Sequence, residues 1–147
     1  MADSGVGDGS GQRLTHEKMT DLIPFAGTLG LKLVPAAPER VVGRLAHSPE
    51  RCTAGGVLHG GALMAMADNF GAVCAHLNLP PGFTTGTIES KTNFFRSVRE
   101  GHVEGVSHPL HVGRSTIVVQ TDLFDGEGRR IGQTTQTQAV VVGGTQA

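Results

Sequence analysis

A carboxylate lies in the middle of the most apolar stretch of this chain, shortly after a pair of glycines. The stretch reads VLHGGALMAMADNFG from Val57 to Gly71, with Gly60 and Gly61 followed by Asp68. Burying a charge without a partner is so costly that the group normally finds one or shifts its pKa. We therefore expect Asp68 to be a buried carboxylate with a chemical role.

The two glycines lie at the start of a predicted helix, Gly60–Leu77, where the first backbone N–H groups have no partner within the helix. The helix dipole adds about half a positive charge at this end, and glycine lets a ligand approach the backbone closely. Such a site can hold the oxygen of a carbonyl during acyl transfer. We predict that the Gly60 N–H is an oxyanion donor and that Gly61 lies beside the substrate.

The spacing of Gly60 and Asp68 has a consequence for assembly. Eight residues of helix separate them by about 12 Å at 1.5 Å per residue. Reacting atoms must approach to about 3–3.5 Å, so one helix does not bring its own carboxylate to a carbonyl held at its own Gly60. A second, antiparallel copy of the helix would do so. The spacing therefore predicts a homodimer in which each active site is shared by two subunits.

The elements that must position these residues predict an α+β fold. Thr15 is a candidate N-cap for a short helix ending near Leu22, before Pro24. A hairpin over residues 30–35 and 40–47 precedes the helix Gly60–Leu77, and four strands follow it, within residues 84–96, 101–113, 115–125 and 129–142. The long helix is apolar on nearly every face, so we expect a curved antiparallel sheet to wrap it completely.

The last predicted strand is unusual because it is polar on both faces. Residues 131, 133, 135 and 137 share one face, and residues 132, 134, 136 and 138 share the other; most of these eight are Gln or Thr. This pattern predicts that the strand contacts something besides a dry core.

Composition narrows the class of protein further. The 147 residues carry a formal net charge of −1, and their charges are scattered. This pattern does not indicate a basic surface for binding nucleic acid. The two cysteines have no metal-ligand spacing and are expected to be reduced, as in a cytoplasmic protein. No segment reads as a membrane span or a secretory signal. Residues 1–13 are expected to be a disordered lead, and residues 14–143 to form one domain.

The motif HGGALMAMADNFG (residues 59–71) resembles the signature helix of the hotdog-fold acyl-CoA thioesterases. It is most similar to the phenylacetate-degradation and 4-hydroxybenzoyl-CoA types. KTNFFRSVREGHV (91–103) resembles the strand that follows this helix in the family, and HVGRST (111–116) resembles a turn near the nucleotide. The resemblance covers about residues 25–142. It implies a dimer or dimer of dimers that hydrolyses acyl-CoA thioesters and needs no metal or cofactor, since coenzyme A is part of the substrate.

The resemblance also implies roles for individual residues. Asp68 matches the catalytic carboxylate, which acts as nucleophile or general base, and Gly60 matches the N–H that polarises the thioester carbonyl. His59 matches an orienting residue beside it. Thr87 falls where some members hold the attacking water with Ser or Thr.

Four positions depart from the family pattern. Many members have Asn or Gln where this chain has Thr53. The 4-hydroxybenzoyl type has Glu at position 68 and Thr where this chain has Ala72, and the Pro after the strand arginine is Ser97. Substrate contacts are expected from Thr53, Ala72 and the side chains of Phe70, Phe83, Phe94 and Phe95. Candidate phosphate contacts are Arg96, Arg114 and Ser115.

Each assignment has a structural alternative. Asp68 could cap an internal turn or pair with a buried arginine. A histidine at a helix start, such as His59, more often forms a hydrogen bond with the backbone than transfers a proton. Thr87 could be present only because threonine has a high β-propensity. The arginines could be solvated at the surface, as most surface arginines are, and contact no phosphate. No acidic partner is spaced for a metal site with the alternating histidines His102, His108 and His111.

Two classes of function stay open at this point: an acyl-CoA hydrolase and a non-catalytic acyl-CoA binding or sensing protein. A sensor is expected to lack the acid at position 68 and to carry an added DNA-binding segment, so the hydrolase leads. A third class, hydratases and dehydratases, would need a catalytic histidine well ahead of the helix, and His59 next to Gly60 fits that poorly.

Overall fold

Six strands form one antiparallel sheet around a long helix in the computed structural model, which describes residues 14–144. The helices are α1 (His16–Leu22), α2 (Pro24–Leu29) and α3 (Gly60–Leu77). The strands are β1 (Lys32–Ala37), β2 (Arg40–Ala46), β3 (Phe83–Phe94), β4 (His102–Val112), β5 (Thr116–Asp125) and β6 (Arg130–Val142). Their order across the sheet is β1-β2-β4-β5-β6-β3, and every neighbouring pair is antiparallel.

The sheet must curve because α3 contacts all six strands. Six strands at about 4.8 Å spacing are about twice as wide as a helix with its side chains. This is the predicted hotdog arrangement, with α3 spanning the range predicted for it. The predicted lead, residues 1–13, lies outside the described residues. No helix among residues 14–144 is long and apolar enough to cross a membrane.

The short N-terminal helices differ in part from the prediction. Thr15 caps α1, because its hydroxyl accepts a hydrogen bond from the Lys18 backbone N–H at 3.2 Å. Pro24 was expected only to end this helix, but it also begins α2. Proline is favoured in the first helical turn because its missing N–H has no partner to lose there.

One side of α3 packs against the sheet, and we call it the closed side. There an aromatic ring fills a hollow in the sheet. Gly43 of β2 and Gly105 of β4 lie directly opposite each other. A Cβ atom added at Gly43 would lie 2.0 Å from the Phe70 ring, and one at Gly105 would lie 3.0 Å from Met66. Both side chains are fully buried. The two glycines are therefore needed so that α3 can approach the sheet.

The other side of α3 corrects the expectation that protein wraps this helix completely and buries Asp68. Gly61, Met64 and Asp68 are exposed. Their spacing of three and four residues places them in one stripe along the helix. The sheet of a single chain covers only part of the circumference of α3, and no other described element lies over this stripe. Asp68 is therefore a carboxylate open to solvent in the isolated chain.

Strand β3 is the edge of the sheet beside this stripe. Ten of its twelve residues are exposed, whereas β4, β5 and much of β6 alternate between buried and partly buried positions. Its exposed apolar side chains include Phe83, Phe94 and Ile88, the last 59% exposed. Within the described residues β3 pairs only with β6, so its second edge is free. A free edge of this length offers a row of unpaired backbone groups with which another chain can pair.

Candidate active site

A groove runs between α3 and β3, which lie antiparallel to each other. At one end, a Cβ atom added at Gly60 would lie 3.2 Å from the Phe94 ring. Near the middle, the Thr87 hydroxyl lies 3.4 Å from an oxygen of Asp68. At the far end, Thr85 and residues of the last turns of α3 line one cavity. We call this feature the α3–β3 groove.

The carboxylate of Asp68 is held from the side of β6 and β3. The Gln136 amide nitrogen lies 3.4 Å from both a carboxylate oxygen and the main-chain oxygen of Asp68. Thr87 donates to the same carboxylate oxygen at 3.4 Å, and it accepts a 2.8 Å bond from the Gln138 amide. Both contacts with the carboxylate are long, and both fall on the same oxygen. The second oxygen is left open for chemistry.

The two glutamines were not assigned a role from the sequence. The structure confirms that residues 132, 134, 136 and 138 share one face of β6, and this face is buried toward α3. Gln136 and Gln138 are among the largest fully buried side chains of the chain. The feature of the sequence that indicated them was the polarity of the last strand, which predicted a contact with something besides a dry core.

Gly71 makes room for Gln136 beneath the helix. A Cβ atom added at Gly71 would lie 2.3 Å from the Gln136 side-chain oxygen. That oxygen is buried and has no hydrogen-bond partner among residues 14–144. The amide is therefore fixed by packing on one side and by Asp68 on the other.

The bulge in β3 falls beside the Thr87 contact. Thr87 pairs with Gln138 and Glu89 pairs with Thr137, so Ile88 is an extra residue on this strand. Bulges bend a strand and re-aim its side chains, and they are common next to active sites. This one separates the Thr87 hydroxyl, which faces Asp68, from the Glu89 carboxylate, which accepts from Thr137.

His59 determines which N–H groups are free at the start of α3. It is the N-cap residue, and its Nδ1 accepts a 2.8 Å hydrogen bond from the Gly61 N–H. The N–H groups of Ala62 and Leu63 donate to the His59 carbonyl. Among the described residues, the Gly60 N–H has no acceptor. The free donor is therefore Gly60, whereas the N–H of Gly61, the residue predicted to lie beside the substrate, is occupied by the cap.

A cleft of about 390 Å³ opens at this end of the groove. It brings Gly60 together with four residues expected at the substrate, namely Thr53, Phe94, Phe95 and Arg96. The start of the helix, a hydroxyl and a guanidinium thus face one space. A polar ligand that carries an oxygen anion matches this set of donors.

The opposite end of the groove leads to an apolar cavity of about 200 Å³. It lies between the N-terminal helices, the second half of α3 and β3, and we call it the α1–α3 cavity. Ala72, which was expected to contact substrate, is on its wall. The full lining is Leu14, Met19, Leu22, Ile23, Ala72, Val73, His76 and Thr85.

Three other predicted contact residues lie away from Asp68 in the single chain. Phe70 is fully buried on the closed side of α3. Arg114 and Ser115 are exposed in the turn between β4 and β5, where the Ser115 carbonyl accepts from Val140. The strand register places this turn at the end of the sheet opposite Arg96. One chain therefore does not bring the two arginines together.

The described residues offer no metal-ligand set. No three His, Cys, Asp or Glu side chains between residues 14 and 144 lie close enough to hold a metal ion. His102 and His108 alternate with buried residues of β4 that face α3, so they lie on the outer face of the sheet. Cys52 and Cys74 are both free thiols.

Comparison with known proteins agrees with this geometry. The family model "Thioesterase superfamily" matches residues 55–131, more than half of the chain. The chain is 37% identical over 86 residues to a protein of Escherichia coli K12 named 1,4-dihydroxy-2-naphthoyl-CoA hydrolase. This match covers 58% of the chain and 63% of the relative. It is also 36% identical over 75 residues to "Proofreading thioesterase EntH" of Cronobacter sakazakii, covering 51% of the chain and 55% of the relative.

Both relatives are matched over less than two thirds of their own length. Solved structures extend the likeness to most of the chain. The thioesterase HI1161 of Haemophilus influenzae superposes with a TM-score of 0.83 at 25% identity, covering 89% of this chain and 93% of that one. The chain therefore belongs to the thioesterase superfamily and has the hotdog fold of that family.

Proposed function

We propose that this protein hydrolyses acyl-CoA thioesters, with Asp68 as nucleophile or general base and the Gly60 N–H as oxyanion donor. The observation that carries the proposal is the placement of Asp68. It is an exposed carboxylate in the α3–β3 groove, held on one oxygen by Thr87 and Gln136. The names of the two relatives, a CoA-thioester hydrolase and a proofreading thioesterase, support the same reaction.

The reaction follows from what these groups can do. The thioester carbonyl oxygen accepts a hydrogen bond from the Gly60 N–H, which favours negative charge on that oxygen in the transition state. The open oxygen of Asp68 attacks the carbonyl carbon, or it removes a proton from a water molecule that attacks. The carbon–sulfur bond breaks and the thiolate of coenzyme A leaves. If Asp68 itself attacks, water then hydrolyses the acyl–Asp68 anhydride and releases the acid.

The site is proposed to be shared by two chains. Gly60 and Asp68 are separated by about 12 Å along one helix, so the two groups would come from different subunits. A second copy that packs antiparallel on the α3 stripe would cover the free edge of β3 and its exposed apolar side chains. The two-fold symmetry would also bring the Arg114 end of one sheet toward the Arg96 end of the other. The assembly is then a dimer or a dimer of dimers.

The acyl group is proposed to be aromatic or of medium length, as in the thioesterase types that the signature helix resembles. The α1–α3 cavity measures about 200 Å³, and an apolar cavity of about 150 Å³ binds benzene. One aromatic ring or a chain of a few carbons fits this volume, whereas a long fatty chain does not. The apolar lining favours such a group.

The experiment that tests this function is a panel of acyl-CoA thioesters assayed by release of free thiol. Phenylacetyl-CoA and benzoyl-CoA represent aromatic groups, hexanoyl-CoA a medium chain and palmitoyl-CoA a long chain. We expect turnover of the aromatic or medium thioesters and little of palmitoyl-CoA. Equal or faster turnover of palmitoyl-CoA would exclude the proposed acyl class, and no thiol release from any thioester would exclude the reaction.

A further inference from the structure

The buried amide of Gln136 lowers the stability of the fold because its oxygen has no partner. Gln136 is fully buried on the face of β6 that packs toward α3. Its side-chain oxygen is buried and accepts no hydrogen bond among residues 14–144. The helix fills the space beside this oxygen, since a Cβ atom added at Gly71 would lie 2.3 Å from it. A buried polar atom that is left unpaired costs free energy.

Packing alone does not explain an amide at this position. If the amide were turned over, its oxygen would face two oxygens of Asp68, and its nitrogen would lose both acceptors. An apolar side chain would suit the site, because Val119, the partner of Gln136 on β5, is fully buried on the same face. Thr134, another fully buried polar residue of this face, does have a partner, the Thr92 hydroxyl at 2.7 Å.

We propose that Gln136 is a positioning residue that holds the Asp68 carboxylate in its reactive orientation at a cost in folding stability. Its amide nitrogen lies 3.4 Å from a carboxylate oxygen and 3.4 Å from the main-chain oxygen of Asp68. It therefore ties the side chain of Asp68 to the helix backbone and restricts its rotation. Without such a contact, an exposed aspartate moves between several rotamers, and misplacing a reacting group lowers the rate. The proposal rests on the proposed function.

The first test is Gln136→Met, which keeps an unbranched side chain of similar length but has no donor. We expect kcat to fall by about 5- to 10-fold, as for the loss of one hydrogen bond, and KM to change little. The urea midpoint should rise because the unpaired oxygen is gone. The oxygens that lose the donor keep other partners, since one belongs to a helix carbonyl and the other still accepts from Thr87.

The matched control is Thr134→Val on the same face of β6. This substitution removes a buried hydroxyl that has a partner and leaves the Thr92 hydroxyl without one. We expect an unchanged kcat and a lower urea midpoint, which is the reverse of both effects of Gln136→Met. A residue with a merely structural role would follow the pattern of the control.

The second test removes the space that the amide occupies. Gly71→Ala would place a Cβ atom 2.3 Å from the Gln136 oxygen, so it should displace the amide and lower kcat. In a Gln136→Ala chain there is no amide to displace, and adding Gly71→Ala should lower kcat no further. Equal losses in the two backgrounds would show that Gly71 acts independently of Gln136.

The outcomes separate this proposal from the proposed function. If the wild type releases thiol, an unchanged kcat in Gln136→Met, or a higher KM at unchanged kcat, would overturn the positioning role. A lower urea midpoint in Gln136→Met would overturn the cost in stability.

If the wild type cleaves no thioester, the proposed function fails, and NMR tests the contact itself. The side-chain amide signals of Gln136 are identified by their loss in Gln136→Met. They should shift in Asp68→Asn and stay in place in Asp125→Asn, which lies in the β5–β6 turn. Unchanged signals in Asp68→Asn would show that the amide does not hold the carboxylate.

Discussion

The two sides of α3 differ in burial, although they belong to one continuous apolar helix. On the closed side, Phe70 and Met66 are fully buried against a hollow made by Gly43 and Gly105. On the side of the α3–β3 groove, the helix exposes a carboxylate beside a strand with a free edge. The closed side is complete within one chain, whereas the groove side, which carries the proposed active site, is left uncovered by a single chain. Core and site are thus divided around the circumference of one helix.

The largest expected effect is the loss of the groove carboxylate. Asp68→Asn keeps the shape of the side chain but removes the charge, so kcat should fall by about 10²- to 10⁴-fold. The matched control is Asp125→Asn in the β5–β6 turn, where the carboxylate bonds backbone N–H groups and Arg129. Steady-state thiol release measures both variants. Near-native turnover by Asp68→Asn would remove Asp68 from the reaction.

The closed side is tested by adding one carbon to it. Gly43→Ala would place a Cβ atom 2.0 Å from the Phe70 ring. The resulting overpacking should lower the free energy of unfolding by about 1–3 kcal/mol. On the groove side, a Cβ atom at Gly86 of β3 meets nothing within 4 Å, so Gly86→Ala should change it by less than about 0.5 kcal/mol. Urea unfolding measures both, and equal effects would show that the two sides are packed alike.

A smaller effect is expected from the group that positions Asp68. Thr87→Val removes the hydroxyl that links Gln138 to Asp68, and kcat should fall by about 10-fold, in line with the loss of one hydrogen bond. Thr87→Ser keeps the hydroxyl and should recover most of the rate. Because Thr87 acts through Asp68, kcat should change more than KM. A rise in KM at unchanged kcat would instead make Thr87 a substrate contact.

The last effect is a pH dependence of the closed side, which shows only above about pH 8.5. Burial raises the pKa of the Cys74 thiol to about 12, above the ordinary value of about 8.5. Between these values the unfolded chain binds fewer protons than the folded chain, so stability falls as pH rises. The contribution of the buried Cys74 thiol to the free energy of unfolding is present in full below about pH 8.5 and is lost progressively up to about pH 12.

The measurement is urea unfolding between pH 7 and 10.5. Cys74→Ala should flatten the decline of the free energy of unfolding, whereas Cys52→Ala, at a partly exposed thiol, should keep the wild-type slope. Parallel curves for all three proteins would show that the Cys74 thiol does not control this decline.

The sequence predicted the elements well because their signals are local. The range of α3, the early hairpin and the four later strands follow from periodicity, glycine and proline within short windows. The second short helix was missed because Pro24 was interpreted only as a helix end, although proline also starts helices.

The surroundings of Asp68 were predicted less well because they depend on distant parts of the chain. An apolar helix sequence shows that its faces need cover, but not whether the cover comes from its own chain or from another copy. This is why Asp68 was expected to be buried and is exposed. Gln136 reaches it across 68 residues of sequence, and only the polarity of β6 indicated such a contact.

The central claim is that Gly60 and Asp68 of different subunits form one site, and mixed dimers test it most directly. Asp68→Ala and Gly60→Pro chains are unfolded together and refolded; proline is tolerated at the first position of a helix but lacks the N–H. About half of randomly formed dimers would then hold one intact site of two, so activity should return to about a quarter of the wild-type value. Each variant refolded alone should stay inactive, and Gly60→Ala shows how much loss comes from the added carbon. No recovery in confirmed mixed dimers of folded chains would contradict the shared site.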